Sequence, residues 1–136
     1  MVKPIIKDRF FLARKSVPAT AEDAGLAQDL IDTIEANKAG CAGLAANMIG
    51  VAKRAIVFNE NGKYIVMFNP EIVRCSSPFE AEEGCLSLPG QRKVRRYLNI
   101  KVQYQTPEMK TRVKTYSGWT AEIIQHEIDH CNGVLI

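Results

Sequence analysis

Near its C-terminal end the chain carries His126-Glu127-Ile128-Asp129-His130, two imidazoles four positions apart with a carboxylate directly after the first. On an α-helix, residues four apart lie about 40° from each other around the axis, so both rings project from one face and can grip a single ion. Glu127 projects close to that face. There its carboxylate can take a proton from a water whose pKa an ion has lowered to about 7 in favourable sites. The competing structural reading is an amphipathic helix whose histidines fill core space. Ile124, Ile128 and Cys131 already supply an apolar seam, while Ile123, His126, Glu127 and His130 lie on another side. Burying that polar trio with neither metal nor water would cost several kcal/mol, which favours the metal.

A catalytic ion needs a third protein ligand, and the chain has no histidine beyond these two. The third must be Cys, Asp or Glu. Cys85 is the best candidate because it sits in Glu82-Glu83-Gly84-Cys85-Leu86-Ser87-Leu88-Pro89-Gly90, a short segment held between glycines. Cys41, Cys75 and Cys131 read as the small buried hydrophobes that most free cysteines are.

The paired histidines require a helix, and helical spacing runs from Trp119 to about Asn132, with Gly133 placed as its stop. A second, amphipathic helix is expected over residues 21–37, where Thr20 caps an acidic first turn and Ala27, Leu30, Ile31 and Ile34 recur at helical spacing. Between them the period is that of strands. Ala55-Ile56-Val57-Phe58 and Tyr64-Ile65-Val66-Met67-Phe68 flank an Asn61-Gly62 turn and predict a hairpin, with Asn69-Pro70 ending or bending its second strand and residues 71–74 extending it. Residues 99–105 and 111–116 alternate polar and apolar and predict an antiparallel pair. The opening segment to Val17-Pro18 reads as an extended arm, and the small-residue run Gly40 to Gly50 as tight packing beneath the helix. Helices near both ends and strands between them give an α+β fold class.

The length of 136 residues suits a single domain, 1–136, and 46% apolar with 24% charged residues excludes wholesale disorder. A formal charge of +3, scattered along the chain, names neither a nucleic-acid nor a membrane partner. No apolar run approaches the roughly 20 residues of a spanning helix. Lys3, Lys7, Asp8, Arg9, Arg14 and Lys15 are not the start of a signal peptide. The expected compartment is the cytoplasm, with thiols free or metal-bound.

Three segments, Gly43-Leu44-Ala45-Ala46, Glu83-Gly84-Cys85-Leu86-Ser87 and Gln125-His126-Glu127-Ile128-Asp129-His130, in this order and at these separations, resemble the peptide deformylases. H-E-x-x-H alone is shared with many metalloproteases, and the E-G-C-L-S segment upstream makes the match specific. The likeness covers essentially the whole chain. It implies β-sheets packed around a C-terminal metal-bearing helix, and removal of the formyl group from the initiator methionine of nascent polypeptides. It further implies that Cys85, His126 and His130 bind one divalent ion, natively Fe(II), with Ni, Co or Zn accepted. By the same resemblance Glu127 acts as general base and then general acid, and the backbone N–H of Leu86 helps hold the oxyanion. Backbone around Ala42, Gly43 and Gly84 would pair with the peptide, and methionine would enter a pocket near Leu86, Trp119, Ile123 and His126. Arg92 matches a family arginine near the peptide or the Glu83 carboxylate, while Glu83 and Asp129 would orient the ligands.

Departures from the family pattern are equally specific. The first segment normally reads G-x-G-L-A-A-x-Q, and here Cys41 stands at the first glycine and Met48 at the glutamine. That glutamine amide donates to the developing oxyanion, and loss of one such donor can cost about 2.7 to 4 kcal/mol. Methionine cannot donate. Beside a deformylase, the residues therefore leave open a deacylase for another small N-acyl group and a weakly active homologue. A zincin-type peptidase fits an upstream cysteine ligand poorly. The chain runs six residues past His130, whereas many deformylases continue into a further helix.

Overall fold

The computed structural model describes residues 1–136. Its elements in chain order are α1 (Arg9–Leu12), a 3₁₀ turn (Ala21–Asp23) leading into α2 (Ala24–Ala36), β1 (Gly43–Ala45), a second 3₁₀ turn (Ala46–Ile49), β2 (Ala55–Glu60), β3 (Lys63–Gly84), β4 (Gln91–Gln105), β5 (Thr111–Ser117) and α3 (Gly118–Cys131). The strands form one antiparallel sheet in the order β1-β2-β3-β4-β5, so β1 and β5 are its edges. The fold is α+β.

Local chemistry accounts for each element. Thr20 and Asp23 close a capping box at the entry to α2. Leu26, Ala27, Leu30 and Ile34 then bury one stripe of that helix. Asn61 and Gly62, with φ of 52° and 87°, make the left-handed turn that joins β2 to β3. The helix α3 is buried on almost every side rather than along one seam, including Gln125, His126, Glu127 and His130. Gln125 supports that burial by acting like a strand edge: its Oε1 accepts the Tyr97 N–H at 2.9 Å and its Nε2 donates to the Tyr97 carbonyl at 2.8 Å.

Three expectations change. The arm is not extended throughout, because Asp8 caps the short helix α1 by accepting the Phe10 N–H at 2.9 Å; Leu12 is buried there while Phe10 faces solvent. Of the two outcomes expected at Asn69-Pro70, the strand bends and does not end, and it runs beyond the expected residues 71–74. A register shift between Phe68 and Glu71 absorbs the left-handed Asn69, whose amide bonds Ala19 and Gln105, and β3 runs 22 residues from Lys63 to Gly84. The third is that residues 91–98 extend β4 and pair with that continuation, so the two strands together deliver Cys85 to the helix.

At its C-terminal end α3 closes in a Schellman arrangement, with Gly133 N–H donating to the His130 carbonyl and Val134 N–H to that of Asp129, both at 3.0 Å. Gly133 has φ of 76°, and a Cβ there would run into the Ala13 carbonyl of the arm. Gly133→Ala is expected to lower unfolding stability by about 2 kcal/mol or more, since a left-handed non-glycine residue alone costs about 1–2 kcal/mol. Urea denaturation reads this directly, and an unchanged midpoint would mean the arm is not seated against that turn.

Candidate metal centre

One turn of α3 separates His126 from His130, and their Nε2 atoms lie 3.1 Å apart. The loop after Gly84 brings the Cys85 sulfur to 3.4 Å from His130 Nε2. All three donor atoms lie within 4.8 Å of one another. Bonds of about 2.0–2.1 Å to nitrogen and about 2.3 Å to sulfur, arranged tetrahedrally, put two nitrogens about 3.3 Å apart and a nitrogen about 3.6 Å from the sulfur. The observed separations fall just short of both, so this trio fits one small cation.

The tautomer fits as well. His126 Nδ1 meets a carboxylate oxygen of Glu83 at 2.7 Å, and because a carboxylate only accepts, Nδ1 carries a proton and Nε2 is the nitrogen left to serve as the ligand. Glu83 is held in turn by Arg96, whose Nε and Nη2 donate to it at 3.0 and 2.7 Å, and whose Nη1 donates to Asp129 at 2.6 Å. The Ser87 N–H donates to the Cys85 sulfur at 3.3 Å, directing a further partner at the thiol.

Electrostatics separate the two rings. Burial opposes charge on His126, but its bonds to the Cys85 sulfur and the Glu83 carboxylate outweigh this and push its pKa up to about 10. Burial, and then the charge of His126, push His130 down to about 3. The locus therefore stabilises one positive charge and rejects two. Burial raises the Glu83 pKa, yet the bonds from His126 and Arg96 prevail and bring it down to about 2.

Glu127 lies beside this trio, 4% exposed, and its Oε1 has no hydrogen-bond partner. Burial pushes its pKa up to about 7. Gly43 of β1 is what admits it: a Cβ on Gly43 would sit 2.7 Å from Ile123 Cγ2 and 2.9 Å from Glu127 Oε2. A cavity of about 540 Å³ opens over these groups and is lined also by Ala42, Met48, Gly84, Leu86 and Trp119. Met48 is buried, and its sulfur accepts the Ala45 N–H at 3.5 Å, so it supplies an acceptor where the family pattern has an amide donor.

Cys85, Glu127, His126, His130, Leu86, Ala42, Gly43, Gly84, Trp119 and Ile123 thus share one cleft, with Glu83 and Asp129 behind the histidines. Arg92 is elsewhere. Its backbone stands opposite Glu83 in the strand register, but its guanidinium donates to the Pro89 carbonyl, and the arginine on Glu83 is Arg96. Sequence reasoning missed Arg96; its one signal is the i, i+4 spacing from Arg92 on β4, which puts both on the same sheet face as Glu83. It also missed Glu122, one turn before His126 on the cavity wall, where burial and the Glu83 carboxylate push the carboxyl up to about 7.

Comparison with known proteins points the same way. The family model described as polypeptide deformylase matches residues 4–136. The chain is similar to a peptide deformylase of Clostridium beijerinckii, 48% identical over 136 residues and covering 100% of both chains. It is 42% identical over 135 residues to one from Desulforudis audaxviator, covering 97% of this chain and 84% of that one. Among solved structures, the peptide deformylase of Thermus thermophilus superposes with a TM-score of 0.89 at 38% identity, covering 98% of this chain and 83% of that one. A Met-Ala-Ser-bound class I type b peptide deformylase of Acinetobacter baumannii gives 0.89 at 30% identity, with 99% and 97% covered.

Arg96→Leu is expected to weaken metal binding by roughly 10- to 100-fold, the usual worth of a group that orients an imidazole ligand from behind. Competition against a chromophoric chelator, on protein shown to be folded by circular dichroism, measures it. Unchanged affinity would show that Arg96 and Glu83 do not set the His126 ring.

Proposed function

The chain belongs to the polypeptide deformylase family, metal-dependent hydrolases that remove the N-formyl group from nascent polypeptides, and from that premise we propose which of its residues carry the reaction. Cys85, His126 and His130 hold the ion. The convergence of their three donor atoms within 4.8 Å is the observation that carries this assignment. When bound, the ion supplies Lewis-acid polarisation and makes a nucleophile available near neutral pH. The Cys-His-His donor set suits Fe(II), Ni, Co or Zn, and Fe(II) is taken as native on the family resemblance.

Glu127 moves the proton. Its unpartnered Oε1 accepts it from the attacking water and returns it to the departing amine nitrogen, a role that a carboxyl poised near 7 performs in both directions. The Leu86 backbone N–H serves the developing oxyanion. At the edge of the sheet, Ala42 and Gly43, with Gly84 across the cleft, pair with the peptide backbone as an added strand. Leu86, Trp119, Ile123 and His126 enclose the methionine side chain, and Glu83 and Asp129, joined through Arg96, hold His126 in place. Arg92, outside the cleft lining and bonded to the Pro89 carbonyl, is left for the peptide beyond the methionine. We take residues 1–136 as one catalytic domain, acting in the cytoplasm on formyl-methionyl chains. No helix is long and apolar enough to cross a membrane.

A second reading draws on Met48, whose buried sulfur offers no proton. It holds that the enzyme is slow on formyl or prefers another small acyl group, and a panel of formyl-, acetyl- and propionyl-methionyl peptides separates the two.

The assignment of Glu127 is tested by Glu127→Ala in metal-loaded protein. Metal content should stay at one ion per chain while formate release from a formyl-methionyl tripeptide falls roughly 10²- to 10⁴-fold, the range of general acid–base catalysis. A variant near the parent rate would remove Glu127 as the proton carrier.

A further inference from the structure

Strand β1 lies at the edge of the sheet, and its backbone groups alternate between the β2 side and the open side. The Ala42 carbonyl accepts the Asn59 N–H at 3.0 Å, and Leu44 stands opposite Val57 in the same register, so Gly43 and Ala45 present their polar groups outward. Both outward positions meet sulfur. The Cys41 thiol donates to the Gly43 carbonyl at 3.1 Å, and the Met48 sulfur accepts the Ala45 N–H at 3.5 Å. These are the two residues at which the chain departs from the family's first segment.

We propose that Cys41 is a positioning residue for substrate: its thiol fixes the outward Gly43 carbonyl as the acceptor for a peptide N–H beside the scissile bond. This rests on the deformylase reading of the cleft and adds to it a group for which the family pattern has no side chain. A carbonyl has two lone pairs, so the thiol occupies one and leaves the other for the substrate amide. An independent feature marks that spot as a ligand position. The carboxylate of Glu127, more than nine-tenths buried and with Oε1 unpartnered, enters the same cavity against Gly43. Burial, and then the neighbouring Glu127, push the Cys41 pKa up to about 12, so the sulfur keeps its proton across the neutral range.

The test compares the parent, Cys41→Ala and Cys41→Ser as full-length metal-loaded chains. It uses formate release from formyl-Met-Ala-Ser and calorimetric binding of Met-Ala-Ser. Cys41→Ala should raise KM and the tripeptide Kd together by about 3- to 10-fold, the worth of one hydrogen bond, while kcat stays within about twofold and the thermal midpoint is kept. Cys41→Ser should restore both constants, because a hydroxyl can make the same donation. Unchanged or lower KM and Kd in the alanine variant overturn the proposal. So does a loss that serine fails to restore, since the sulfur would then act only by filling space. Should the parent release no formate, the deformylase reading falls, and the tripeptide titration still decides the role of Cys41.

Discussion

Two imidazole nitrogens 3.1 Å apart, with a thiol sulfur 3.4 Å from one of them, face a common place that suits a single cation. Everything nearby follows from holding that arrangement together. A carboxylate behind His126 settles its tautomer, and an arginine behind the carboxylate keeps it ionised and turned. Asp129 takes the remaining face of that arginine. The result is a chain of charge-assisted bonds, alternating in sign, in which each group stops its neighbour from rotating. A buried carboxylate, arginine and imidazole would be costly singly, and together they satisfy one another.

The fold supplies the reach. Helix α3 can place two imidazoles and Glu127 by its own period, but no helix can bring a thiol to them. That is done by β3 and β4, whose paired ends carry residues 83–92 across to α3 while Gln125 holds β4 against the helix. Gly43 completes the approach from the opposite edge, because the absence of a side chain there leaves room for the Glu127 carboxylate. One apolar cluster underlies all three helices and all five strands, so the three approaches share a common foundation.

How much of this was legible in the sequence depends on the range of each contact. The histidine pair and Glu127 obey a local period, and the N-cap at Thr20 and the turn at Asn61-Gly62 obey local sterics. All of these were readable. Cys85 was readable because glycines bracket it and because the family segment is specific. Arg96 was not, because a strand's own alternation cannot say which of two arginines on one face will reach a carboxylate on its neighbour. The backbone register even favours the wrong one, pairing Glu83 with Arg92. Likewise the run of β3 beyond Arg74 to Gly84 is invisible locally, since its partner is residues 91–100 of β4, and the bulge at Asn69 is stabilised by Ala19 and Gln105 from distant segments.

X-ray absorption at the metal edge, on protein purified without oxygen, addresses the centre most directly. The spectrum should show one sulfur neighbour at about 2.3 Å with nitrogen or oxygen neighbours at about 2.0–2.1 Å, the sulfur vanishing in Cys85→Asp. A first shell with no sulfur would contradict the account, for the thiol that β3 and β4 carry across the molecule would then have no bond to make.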